Sequence, residues 1–306
     1  MFSITQSLFP IIVLILIGFL IQRSDFLPAA FWPSAEKLTY FLLMPAILIH
    51  SIANKQMADL PWFSIMVTVE GTVLVSAVLI ISWWWFNRHI DGPGFTSAFQ
   101  GAVRFNSFVA LALAEKLFGA EGLLLAALGA GFMILLINVL CVSAFSVAVN
   151  NGRSSRPVAV LADLARNPLI IACVIGVGLN VSGLKLPQEI DGVLVMVGKA
   201  AFPIGLMAVG AAYRSGSLVK HWQPLLASSM VQFVCKPAAA WWIGSTMGLS
   251  GLPLTIAVLL FSVPTAPTSY ILSRQMGGDH DSMASIITAQ TCLSFMTLPI
   301  TLWLLM

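Results

Sequence analysis

A few polar residues stand inside long apolar runs, and their chemistry narrows what the chain can do. Arg104 lies in Val103-Arg104-Phe105-Asn106-Ser107, and Glu70, Lys199 and Lys236 are the other charges set deep in such runs. In hydrocarbon an Arg at mid-helix costs about 2.5–3.5 kcal/mol, so each of these charges needs a partner or a water-filled cavity. A guanidinium is a fixed cation with a planar fork of donors that matches a carboxylate. Further along, Val263-Pro264-Thr265-Ala266-Pro267-Thr268 puts two prolines close together in an apolar run. An unbroken helix does not hold them, because each lacks the N–H and crowds the preceding turn. Asn106 and Ser107 can bond backbone groups that a break sets free. The candidate substrate-binding set is therefore Arg104, Asn106, Ser107, Pro264, Thr265, Pro267 and Thr268. Glu70 and Lys236 fall at similar depth from one end of their helices. They are read either as an ion pair or with Glu70 as a coupling proton site. Lys199 either snorkels or faces the cavity.

These residues need elements to hold them, and composition says which. Of 306 residues 58% are apolar and only 9% charged, with mean hydropathy +0.95. A soluble domain carries about 25% charged residues, too many for this chain to match. The apolar runs are continuous rather than alternating, and about 20 residues cross the hydrocarbon as a helix. The expected fold is an all-α polytopic membrane protein, with helices at 7–22, 33–53, 62–86, 96–117, 122–148, 168–181, 188–213, 222–247, 253–275 and 281–305. No Lys or Arg precedes the first run, so it reads as a membrane helix rather than a signal peptide. Trp83-Trp84-Trp85 marks an aromatic belt at a helix end.

The two halves match at an offset of 158: Pro10 falls on Pro168, Gly18 on Gly176, Pro45 on Pro203 and Gly119 on Gly277. Five helices is an odd number, so a second copy at that offset runs upside down, as in many secondary transporters. The expected domains are 1–149 as a first five-helix repeat, 150–166 as a cytoplasmic linker, and 167–306 as a second, inverted repeat. Asn106 meets Pro264 at the same offset, so the fourth and ninth helices are both expected to break at mid-membrane and cross there. Broken backbone at that depth must line a cavity. Matched interruptions are the best sequence pointer to a transport site, and the restarting half-helices aim positive dipole ends at it, which suits an anion. The short first and sixth helices read as scaffold, Pro45 and Pro203 as kinks, and Asn138 and Gln290 as interhelical hydrogen bonds.

Other chemistries lack their parts. The histidines at 50, 89, 221 and 280 lie near helix ends without metal-site spacing, so a membrane metalloenzyme or a Ser–His hydrolase is not expected. Cys141, Cys173, Cys235 and Cys292 sit in apolar runs as small hydrophobes. No enzyme activity, cofactor, metal or nucleic-acid partner is expected. A channel or uniporter-like facilitator for organic acids, including auxin-like aromatic acids, is the alternative to a carrier, since a broken helix can also line a pore.

The chain resembles the auxin efflux carrier family in its small bacterial form. The matching residues are Asn106 with Phe118-Gly119, Pro45, Lys236-Pro237, and Pro264-Thr265-Ala266-Pro267-Thr268-Ser269-Tyr270 running to Gly277-Gly278-Asp279. The resemblance implies a ten-helix fold shared with bile-acid sodium symporters. In that fold a scaffold of helices 1, 2, 6 and 7 stands beside a transport domain of 3–5 and 8–10, and a carboxylate binds where helices 4 and 9 cross. It implies substrates such as malonate, malate or auxin-like acids. Plant members form dimers through the scaffold, which makes a homodimer an expectation here. Two features depart from plant members: the linker is short, and Arg104 stands two residues before Asn106, which favours a smaller and more charged acid.

Loop cations set the orientation. Arg23, Arg88, Arg153, Arg156, Arg166, Arg214, Lys220 and Arg274 fall on one side, against Lys55, Lys116 and Lys185 on the other. Cytoplasmic loops collect Lys and Arg, so both termini are expected outside a bacterial inner membrane and the linker inside. Single cysteines replacing Arg156 and Lys185 in a Cys-less background should then react with impermeant reagents from opposite faces. Labelling from the same face overturns the inverted repeat.

Overall fold

The computed structural model describes residues 2–28, 30–54, 60–87, 89–149, 168–212 and 222–305. The expected linker and the loop cations Lys55, Arg88, Arg153, Arg156, Arg166, Arg214 and Lys220 lie outside them. Among the described residues the chain is helical, with no strand. Helix α1 spans Phe2–Arg23. Helix α2 (Phe31–Leu38) passes through a π-helical turn, Thr39–Leu43, into α3 (Met44–Ala53). Then come α4 (Trp62–Phe86), α5 (Gly92–Val103) and α6 (Ser107–Ala148). The second half holds α7 (Pro168–Ser182), α8 (Gln188–Lys199) and α9 (Ala201–Ala211). It continues with α10 (Trp222–Met230), a π-helical turn at Val231–Cys235, and α11 (Lys236–Thr246). Last are α12 (Gly251–Ser262), α13 (Thr268–Met276) and α14 (His280–Leu305).

The prolines explain the breaks. Pro45 and Pro237 each follow a π-helical turn that contains the carbonyl four residues back. The wider turn gives the ring room where an α-turn would clash. The expected kink at Pro45 thus takes the form of a π turn, while α8 and α9 are divided at Ala200, just before Pro203. At Val263 the backbone turns extended (φ −81, ψ 155), as steric conflict with the following Pro264 requires. Its counterpart in the first half is the extended pair Arg104 (φ −72, ψ 164) and Asn106 (φ −88, ψ 99). Gly119 and Gly277 both take positive φ, 65 and 76. At Gly119 ψ is −155, a region essentially reserved to glycine, and the chain turns there inside α6.

Among the described residues, five stretches are long and apolar enough to cross a membrane: Phe31–Ala53, Trp62–Phe86, Gly92–Ala148, Gln188–Ala211 and His280–Leu305. The sequence leads one to expect ten crossings; of the remaining helices α1 has 22 residues, and the others are shorter or are cut by the breaks just described. Gly92–Ala148, at 57 residues, is far longer than the roughly 20 that one crossing needs. Outward faces are apolar, with Phe9, Val78, Met196 and Trp242 among the most exposed side chains, as lipid contact demands.

Glycines set the closest helix contacts. α1 packs on α9, and α3 on α7 and α8. A Cβ on Gly18 would lie 1.9 Å from the Met207 carbonyl oxygen, and one on Gly210 1.8 Å from that of Ile15. Gly176 approaches Ile52 and the Ile49 carbonyl. An offset of 158 carries Gly18 to Gly176 and Ile49 to Met207, so one contact is made twice.

Backbone-to-backbone contact leaves no flexible atom to yield. Gly210→Ala should lower unfolding stability in detergent by about 1–3 kcal/mol, the usual cost of overpacking. Gly131→Ala, in α6 with nothing within 4 Å of the added carbon, should be neutral or stabilising. Equal melting temperatures for the two variants would refute this account of the α1–α9 contact.

Candidate functional site

Cutting two helices inside an apolar medium exposes four helix ends, and each end carries backbone groups that need partners. The carbonyl ends of α5 and α12 are met by three buried side chains. Lys236 Nζ donates to the carbonyls of Val103 and Arg104 at 3.3 Å each, and to Gln232 Oε1 at 2.8 Å. Gln232 Nε2 in turn donates to the Val263 carbonyl. Gln290 Nε2 donates to the Gly101 carbonyl, and Gln290 Oε1 accepts from Thr265 N–H, both at 3.0 Å. A cation at the negative end of a helix is favourable, which lets Lys236 remain in a site with no exposure at all. The two breaks join directly through Asn106 N–H, which donates to the Pro264 carbonyl at 2.8 Å. Thr265 Oγ1 donates to the Gln100 carbonyl at 3.3 Å.

The amide ends behave differently. Asn106 caps α6 by accepting from Val109 N–H at 3.3 Å, but its Nδ2, 1% exposed as a residue, has no acceptor. Among the described residues, no backbone acceptor meets the N–H groups of Ser107, Phe108 or Thr268 at the starts of α6 and α13. These ends face a cavity of about 380 Å³ lined by Arg104, Phe105, Asn106, Ser107, Phe108, Ala266, Pro267 and Thr268 from the breaks. Opposite them stand Pro33, Glu36, Lys37, Tyr40 and Phe41 from α2 and its π turn, with Ile134, Ile137, Asn138 and Ile271 completing the wall. The size suits a small ligand, for which pockets run roughly 300–1,000 Å³. One part of the cavity is lined by Arg104, by Asn106 and by the positive ends of α6 and α13. The rest is mainly apolar and aromatic.

Of the candidate residues, Arg104, Asn106, Ser107, Pro267 and Thr268 come together on this cavity. Pro264 and Thr265 do not. Pro264 lines a separate apolar gap with Ile11 and Ile15, and Thr265 is fully buried beneath the crossing. Their part is to hold the break. The ion pair of Glu70 with Lys236 is not formed: the ion pairs of the described residues are His50–Asp191 and His280–Asp281. Glu70 is half-buried, on the α4 face that carries exposed Phe63, Leu74 and Val78, while Lys236 points inward at the crossing. Equal depth along two helices leaves their rotation free, and here the two side chains face apart. Lys199 is exposed at the end of α8 and does not line the cavity. Gln290 makes its interhelical bonds, whereas Asn138 lines the cavity instead. Sequence reading missed Glu36, Lys37 and Tyr40. The signal was the spacing of Glu36 and Tyr40, four apart on one face of a helix that otherwise turns apolar.

Two helices broken where a cavity opens, inside a bundle with apolar outer faces, fit a transmembrane transport protein. The chain belongs to the membrane transport protein family, the auxin efflux carriers, whose model matches residues 3–302. Similar proteins include an uncharacterized transporter of Methanothermobacter thermautotrophicus, 23% identical over 304 residues, covering 97% of this chain and 96% of that protein. A proposed malonate transporter of Rhizobium meliloti is 22% identical over 320 residues, covering 100% and 97%. The uncharacterized transporter YfdV of Escherichia coli K12 is 21% identical over 285 residues, covering 88% and 87%.

Lys236→Met should remove three charge-assisted bonds to the crossing and destabilise the fold by at least the roughly 1.5–3 kcal/mol of one such bond. Glu70→Gln should add to it independently, with a coupling energy below about 0.5 kcal/mol, as for residues without shared partners. A double mutant more stable than Lys236→Met alone would restore the ion pair and refute this geometry.

Proposed function

We propose that this protein is a secondary carrier that moves a small organic anion, a mono- or dicarboxylate such as malonate or malate, across a bacterial inner membrane by alternating access. The carrying observation is that Arg104, Asn106 (whose buried Nδ2 has no acceptor) and the starts of α6 and α13, where Ser107, Phe108 and Thr268 N–H meet no backbone acceptor, all line one cavity. A buried donor without an acceptor costs about 1–3 kcal/mol. A carboxylate accepts from that amide, from the guanidinium and from the helix ends together, and so offsets several unmade bonds at once. The Rhizobium meliloti relative, with malonate as its proposed substrate, is in keeping with this reading.

The fold we infer is ten membrane helices in two inverted five-helix repeats, 1–149 and 167–306 about the 150–166 linker. Three features at the same offset support it: the duplicated Gly18–Met207 contact, the positive φ of both Gly119 and Gly277, and the meeting of Asn106 with Pro264. α1–α3 and α7–α9 pack mainly with one another and are the candidate scaffold and dimer surface. Both termini are taken as outside from the loop cations.

Purified protein in detergent should melt at higher temperature with malonate or malate, because a ligand of the folded state stabilises it by mass action. Arg104→Gln should keep its helical content and bind such acids with about 1.5–3 kcal/mol less free energy, roughly 10- to 150-fold weaker. Stabilisation by a neutral or cationic solute, or equal binding of an acid by the variant, would sink the assignment. Saturable counterflow in liposomes separates a carrier from a channel.

A further inference from the structure

The anion-binding cavity also contains an acid that the binding chemistry does not use. Glu36 lines it from α2, half-buried, in the same cavity as Arg104 and the break residues. Among the described residues its side chain makes no hydrogen bond or ion pair. The titratable groups around it are few. Lys37 adjoins it on α2 and is exposed, Tyr40 lies one turn on, and Arg104 lines the same cavity. α9, the other helix packed against α2, brings no titratable side chain in Ala201–Ala211, and the α6 and α13 residues of the wall are uncharged.

We propose that Glu36 is the proton-binding site of this carrier, taking up a proton from solvent when an organic anion enters the cavity. The proposal rests on the anion reading of the crossing. Two carboxylates in one small cavity repel, and the repulsion is relieved when one is protonated. Anion occupancy therefore raises Glu36's affinity for a proton, and by reciprocity the proton raises the affinity for the anion. The balance is simple. One proton moves from water to a Glu36 carboxylate oxygen, the substrate remains an anion, and no covalent bond in it changes. The neutral acid then presents an O–H that can donate to the substrate. Anion and proton share one cavity, so they cross together, and a proton gradient drives the anion.

The test uses purified full-length protein with malonate as probe, titrated calorimetrically from pH 6 to pH 8. For wild type the affinity should fall by about tenfold or more over this range, because each bound anion draws a proton to Glu36 and protons become scarcer as the pH rises. Glu36→Gln is neutral at every pH and should show no such fall. Malonate's own titration is common to both proteins and cancels in the comparison. Wild type alone provides a second measurement, since its binding heats in two buffers of different ionisation enthalpy count the protons taken up, up to one per malonate. Parallel pH profiles for the two proteins, or zero uptake, overturn the proton site and leave the anion site standing if Arg104→Gln still abolishes or weakens binding. Absence of malonate binding by wild type at every pH fails the anion reading, and the proton proposal with it.

Discussion

Everything at the centre of this molecule follows from one constraint: a broken helix inside hydrocarbon must find new partners for its backbone. The prolines of the ninth predicted helix break it, and the chain answers with Lys236, Gln232 and Gln290, which cover the carbonyl ends from below. These three side chains serve mainly the carbonyl ends, and at the starts of α6 and α13 the N–H groups of Ser107, Phe108 and Thr268 are left without a backbone acceptor. The site is in that sense the uncovered half of a repair. Burying a lysine without a carboxylate would be costly by itself. Here three oxygens, two of them at the negative end of α5, hold the ammonium, and the Phe261 ring lies 5.5 Å from it.

Polarity then divides the cavity into regions with different tasks. At the crossing, donors outnumber acceptors, so an anion is favoured there. Away from it, Phe41, Ile134, Ile137 and Ile271 make the wall mainly apolar, and Lys37 is the cation on that part of the lining. On the proposed reading, a carboxylate substrate would present its charge to the break and its carbon skeleton to α2 and α6. The break helices and α2 belong to separate packing groups.

Much of this was legible in the sequence because proline chemistry is local. Pro264 and Pro267 announce the break without knowledge of what surrounds it, and the match of Asn106 to Pro264 announces that a second break meets it. Gly119 and Gly277 could be read the same way, as turns that need positive φ. Rotation and distance were not legible. Glu70 and Lys236 share a depth, but periodicity on a uniformly apolar helix does not say which way a lone charge faces. Glu36 is far from residue 104 in sequence, and nothing in one chain's sequence reports that α2 closes the cavity. The π turns escaped for a related reason: a proline dictates that the helix must adjust, yet bend and widened turn satisfy the same steric demand.

The bond between Asn106 and Pro264 joins two positions that correspond under the internal offset, and only one of the two residues can donate. Proline has no N–H, so the reciprocal bond that symmetry would otherwise supply is missing. The two breaks therefore meet through one backbone bond of fixed direction, given by the first half and received by the second. The rest of their hold on each other falls to side chains, with Thr265 on the Gln100 carbonyl and Gln290 bridging Gly101 and Thr265.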